Sequence, residues 1–148
     1  MKRLLISLAL MIAIALPAMA VGSITQTSAL HRSTGLLTVT FSWTADSGDG
    51  TVPSTATDAA ITASASGYFL YQVETDPGSP APTAAYDIVI NDAGGADLMG
   101  AALADRSATV TEVAFPATAS RQVDTALTLV ITANSVHSAT GTVKLYLT

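Results

Sequence analysis

The fold class turns on Thr83-Ala-Ala-Tyr-Asp-Ile-Val-Ile-Asn-Asp-Ala-Gly-Gly-Ala-Asp-Leu-Met-Gly100, where a strand pattern runs into a turn signal. Tyr86, Ile88 and Ile90 alternate with Asp87, Val89 and Asn91. Successive side chains of an extended chain point to opposite faces, so this period of two predicts a strand with one face on a core. Asp92-Ala-Gly-Gly95 follows. Glycine reaches positive φ without a Cβ clash, so a tight turn is predicted there. Leu98 to Arg106 then reads either as a short return strand or as one helical turn.

Upstream, Asp76-Pro-Gly-Ser-Pro-Ala-Pro82 interrupts the pattern, because proline cannot donate to a ladder. Before it, Gly67 introduces Tyr68 to Thr75, with Phe69, Tyr71 and Val73 predicted on one face and Tyr68 and Leu70 on the other. Thr51 to Ser66 has no clear period, with Val52 and Ile61 its large aliphatics. Asp46-Ser-Gly-Asp-Gly50 is a loop of turn formers. Leu37, Val39, Phe41 and Trp43 alternate with Thr38, Thr40 and Ser42 in the cleanest strand pattern of the chain. Ile24, Gln26, Ser28 and Leu30 make a weaker first strand, and Ser33-Thr-Gly35 a turn.

Downstream, Val110 to Phe115 predicts a strand stopped by Pro116. Leu127, Leu129 and Ile131 share one face of a further strand, as do Val143, Leu145 and Leu147 of the last. Asn134 to Gly141 is expected to join those two as a hairpin loop. Seven or eight short strands separated by turn signals imply an all-β chain folded as a single β-sandwich, jelly-roll- or Ig-like. Phe41, Tyr71, Ile88, Leu129 and Leu145 are the expected core. The 49% hydrophobic content overstates that core, since alanine supplies 27 of the 148 residues. Threonine supplies 21, and its branched Cβ favours strands.

Met1-Lys-Arg3 precedes an apolar run from Leu4 to Leu16 in which only Ser7 is polar, then Pro17 and Ala18-Met-Ala20. A basic start, a short apolar run and a small-x-small site predict a cleaved signal peptide over residues 1–20 and a β-sandwich domain over 21–148. The chain is thus expected in the periplasm or outside the cell, with no membrane association once the signal is removed. Over 21–148 four basic residues face eleven acidic ones, a net charge of −7. That balance argues against nucleic acid, whose phosphates require a basic patch. The chain has no cysteine, so its stability must come from the core.

Few residues offer chemistry. His31 and His137 are single loop histidines with no metal-ligand spacing. Asp92 and Asp97 flank a glycine turn in a shape that can ligate calcium, and Asp46 with Asp49 is a weaker case. Calcium needs a full shell of oxygens, and aspartate is also a good turn former, so the turn reading is preferred. No Gly-x-Ser-x-Gly elbow occurs. Glu74 and Glu112 are the two glutamates of the chain, a thin basis for a glycosidase pair. Trp43 and Tyr68 are candidates for a sugar-stacking platform, but Trp43 is in phase with Val39 and Phe41, which favours the core. No catalytic, cofactor-binding or metal residue is therefore assigned, no cofactor is expected, and the chain is read as not an enzyme.

Gly50-Thr-Val-Pro53, Gly67 to Gly78, Ala81-Pro-Thr83, Tyr86 to Asp92, Gly95-Ala-Asp-Leu98, Leu103-Ala-Asp-Arg106 and Gly141-Thr-Val-Lys-Leu-Tyr146 occur in that order. The series resembles small uncharacterised β-rich proteins encoded in tailed-phage and prophage structural regions, over roughly Gly50 to Leu147. The resemblance implies a virion-associated protein with no active site to carry over. The expected function is structural, by surface contacts on a virion or tail, through protein partners or self-association. The alternative is a secreted binding module for a cell-surface glycan or protein. An exposed edge strand is the expected contact. Thr142 to Leu147, with Lys144 its only charge, is expected to be that edge, and the Pro77–Pro82 loop to protect another.

Overall fold

The computed structural model describes residues 21–148, and the expected signal peptide lies outside them. In chain order its elements are β1 (Ser23–His31), β2 (Leu36–Thr44), β3 (Thr55–Ala56), α1 (Ala59–Ala65), β4 (Leu70–Pro77), β5 (Asp87–Asn91), β6 (Glu112–Ala114), β7 (Thr128–Thr132) and β8 (Thr140–Leu147). They form two antiparallel sheets, one of five strands in the order β1-β2-β8-β4-β6 and one of three in the order β3-β7-β5. The described chain is mostly β with one short helix.

Each sheet is built from the alternation its residues carry. In β2, Leu37, Val39, Phe41 and Trp43 are all buried, and they lie in register with Leu147, Leu145, Val143 and Gly141 of β8. In the smaller sheet Ile88 pairs with Ile131, and Ile90 with Leu129, and all four are buried. These residues join one buried cluster fed by both sheets. Complete burial of an aliphatic side chain contributes about 1.5–3 kcal/mol, so the paired inner faces hold the sheets together. Trp43 and Tyr86 meet within this cluster, with ring centroids 6.0 Å apart.

Residues 98–106 are neither a return strand nor a helical turn. They form a chain of turns that hydrogen-bonds along the outer edge of β5. Leu98 N donates to Ile90 O (2.8 Å), Ile88 N to Leu103 O (3.0 Å) and Arg106 N to Tyr86 O (2.7 Å). Leu98, Met99 and Leu103 are buried as a result.

The structure corrects the sequence reading at five further points. The patternless segment from Thr51 to Ser66 contains α1, capped by Asp58, whose side chain accepts from Ile61 N. With seven residues and two buried ones, Ile61 and Ala65, the helix is too short to show a sustained period. Tyr71 is 49% exposed and is not a core residue. A bulge is the cause: Leu70 opposes Leu147 and Gln72 opposes Tyr146, leaving Tyr71 as the extra residue. Leu70 and Val73 thereby share the inner face, and Phe69 joins Tyr71 outside. The segment from Asn134 to Gly141 is not a hairpin loop, because β7 and β8 belong to different sheets. β8 is no edge strand either, since β2 and β4 flank it on both sides. The loop from Pro77 to Pro82 bonds to the start of β8, an inner strand, through Gly78 N to Thr140 O (2.8 Å) and Thr140 N to Pro80 O (2.9 Å).

Candidate functional site

The outward face of the five-stranded sheet has two halves of different chemistry. The alternation that buries Val39 and Phe41 turns Thr38, Thr40 and Ser42 outward, beside Thr27 and Thr25 of β1 and Thr142 of β8. This half is a field of hydroxyls. At one end it dips into a depression of about 300 Å³ lined by Ser23, Thr25, Ser42, Asp76, Thr140 and Thr142, among others. Asp76 is partly engaged there, accepting from Thr111 Oγ1 at 2.6 Å.

The other half, over β4 and β6, is apolar. Phe69, Tyr71, Val113 and Phe115 are 45%, 49%, 50% and 54% exposed. The Tyr71 and Phe115 rings meet edge to face at 5.7 Å, a favourable aromatic geometry. A salt-bridged network borders the patch. Lys144 Nζ and Tyr146 OH both donate to Glu74, at 2.6 and 3.1 Å. The hydrogen bond to Glu74 holds the Lys144 ammonium above its usual pKa. Burial, then Glu74, raises the Tyr146 hydroxyl. The half-exposed Lys144–Glu74 pair adds little stability, about 0–1 kcal/mol, but it fixes the side chains that border the aromatic surface.

The residues singled out in the sequence do not converge on a reactive centre. Glu74 lies beside Val113 and Glu112 beside Thr75, one step apart in the β4–β6 ladder, hence on opposite faces. Glu112 instead accepts from Ser107 N at 2.6 Å and stands 3.7 Å from Arg106. Asp92 Oδ1 accepts from Gly94 N and Ala96 N, at 2.8 and 2.9 Å. The Asp97 carboxylate takes Met99 N on one oxygen and Ala101 N on the other. Both side chains thus fasten their own loop. Asp46 Oδ1 accepts from Gly48 N and Asp49 N. Hydrogen bonds from Thr51, the backbone N–H foremost, lower the pKa of Asp49. His31 is the last residue of β1 and His137 lies in the segment between β7 and β8; both are exposed and far apart in the chain. Trp43 is 2% exposed, so it offers no stacking face, while Tyr68 is half-buried against the core. Among the described residues no three of His, Asp and Glu form a group that could hold a metal ion.

The aromatic patch was not visible in the sequence as a site. Phe69 and Tyr71 read as one core face with Val73 until the bulge separates them. The signal available was the unusual density of large apolar residues on both faces of 68–73. No protein-family profile matches the chain, and comparison with curated proteins and with solved structures gives no significant match.

Proposed function

We propose that this chain is a non-enzymatic structural protein, phage- or prophage-related, that is exported or virion-borne and works by surface contacts on a virion or tail. The two-sheet body is read as a β-sandwich of jelly-roll or Ig-like type, presenting one face to its partner. The observation that carries the proposal is the apolar surface of Phe69, Tyr71, Val113 and Phe115. Contiguous exposed apolar groups bordered by polar ones mark contact surfaces more often than they occur by chance on a monomer. Aromatic side chains are also enriched among the residues that dominate protein interfaces. The test is mass spectrometry of purified particles beside the culture medium, for the parent chain and for Phe115→Asp. Incorporation of the parent and at least tenfold less of a folded Phe115→Asp supports the reading. Equal incorporation of both, or absence of the parent from particles, refutes it.

The hydroxyl-lined depression favours a second reading, a secreted module recognising a cell-surface glycan, because clustered hydroxyls and one carboxylate match the donors and acceptors of a sugar. Binding to a glycan array that is lost in Thr142→Val and kept in Phe115→Asp distinguishes the two.

A further inference from the structure

Sheet edges carry unpaired N–H and C=O groups, and folded proteins defend them with short strands, proline, bulges, charge or a covering segment. Of the four sheet edges among the described residues, three are defended. β3 has two residues and follows Pro53; β6 has three and is closed by Pro116. β5 is bonded along its outer side by the turns of 98–106.

β1 is the exception. It has nine residues, in unbroken register with β2 from Ser23 to His31. From Ser23 to Leu30 it holds no charge and no proline, and it has no bulge. Among the described residues its strand partner is β2 alone. The strand is also held ready. Gln26 Nε2 donates to Ala56 O at 2.7 Å, and Asp58 N donates to Gln26 Oε1 at 3.1 Å, which ties β1 to the segment ahead of α1.

We infer that β1 pairs antiparallel with β1 of a second copy, Thr27 facing its own counterpart, so that two five-stranded sheets join as one. This rests on the reading that the chain acts by surface contact, and it names one partner and the strand that meets it. Two observations select a second copy over another protein's strand. First, β1 is neutral along its length, so a copy brings no like-charge opposition despite the acidic chain. Second, Leu30 lies on the core-facing side but is 51% exposed, while Ile24, on the same side, is half-buried. A pairing centred on Thr27 sets Ile24 of each copy opposite Leu30 of the other, so both leucines are covered. Directly opposed side chains on one face of an antiparallel pair have Cβ atoms about 4.5–5.5 Å apart.

The absence of cysteine permits a clean test with the full chain. Thr27→Cys should give a disulfide-linked dimer under mild oxidation at least tenfold faster than Ala29→Cys, whose counterpart is Thr25. Thr25→Cys mixed with Ala29→Cys should cross-link as a heterodimer. Thr27→Lys, at an exposed position, should keep the circular dichroism spectrum and melting of the parent. In sedimentation velocity it should weaken self-association at least tenfold, since two lysines then face each other. Equal cross-linking of Thr27→Cys and Ala29→Cys overturns the inference, as does a Thr27→Lys variant that dimerises like the parent. In that second case surface contact stands and the copies meet elsewhere. A parent that stays monomeric but joins particles in a Thr27-dependent way assigns the edge to a different protein's strand and also overturns self-pairing. A parent that is monomeric and joins no particle removes both readings.

Discussion

Replacing Gly141 by alanine tests the packing on which the larger sheet depends. Gly141 sits in β8 directly opposite Trp43 of β2. A Cβ added there would lie 2.7 Å from Trp43 Cζ2, 2.8 Å from Cε2 and 2.9 Å from Nε1. Carbon atoms pack best at about 3.5–4.0 Å, so the ring or the strand must move by more than half an ångström. Neither moves easily. Trp43 is 2% exposed, it lies between Ile24 of β1 and Gly141 in the sheet and meets the Tyr86 ring, and β8 is held on both sides by β2 and β4. Overpacking of this kind costs about 1–3 kcal/mol, and a rigid ring against a second ring places the expected loss in the upper half of that range. For a body of this size the loss corresponds to roughly 6–15 °C in melting temperature. Trp43 is the one tryptophan of the chain, so its fluorescence reports on this contact without labelling. Urea titration followed at that signal should show a lower midpoint with an unchanged slope, and the native emission should shift. Trp43→Phe should recover at least about 1 kcal/mol of the alanine penalty in a double-mutant cycle. If Gly141→Ala melts within about 1 °C of the parent with the same emission, the indole does not occupy the space above Gly141 and the argument is wrong.

Leu129→Ala, at a fully buried position, should lower stability by about 2–5 kcal/mol in the same titration, the transfer loss plus the cavity. Removing the helix cap with Asp58→Ala should cost about 0.5–2 kcal/mol, measured by thermal melting, because Ile61 N then loses its acceptor. Tyr86 OH is buried without a hydrogen-bond partner among the described residues, so Tyr86→Phe should melt at or above the parent temperature at pH 7; a clear loss would reveal a partner for that hydroxyl. Burial pushes its pKa up to about 12. The folded state therefore keeps a proton that the unfolded chain loses above about pH 10. Its contribution is whole below that pH and declines between there and about 12, so Tyr86→Phe should flatten the alkaline fall in stability. Part of the fall should remain, since Tyr146 and Lys144 are raised in the same direction.

Alternation by itself located the longer strands and most of the core. Phe41, Ile88, Leu129 and Leu145 are buried as their period requires, because which face a side chain takes is a local property of an extended backbone. The same logic misplaced Tyr71, since the bulge beside it exists only in relation to β8. Local pattern also carried too little information for α1, where two buried residues in seven do not make a period. Nothing in Thr142 to Leu147 marks it as central, and nothing in Asn134 to Gly141 tells a hairpin from a crossing between sheets. Those are outcomes of pairing between residues about a hundred positions apart, such as Thr38 with Tyr146. The candidate surfaces follow from the same pairings. The aromatic patch forms because β6 lies beside β4, and β1 is an open edge because, among the described residues, no other strand takes its far side. Residue chemistry decides what each strand shows on its two faces; tertiary pairing decides which faces and edges are left to meet another molecule.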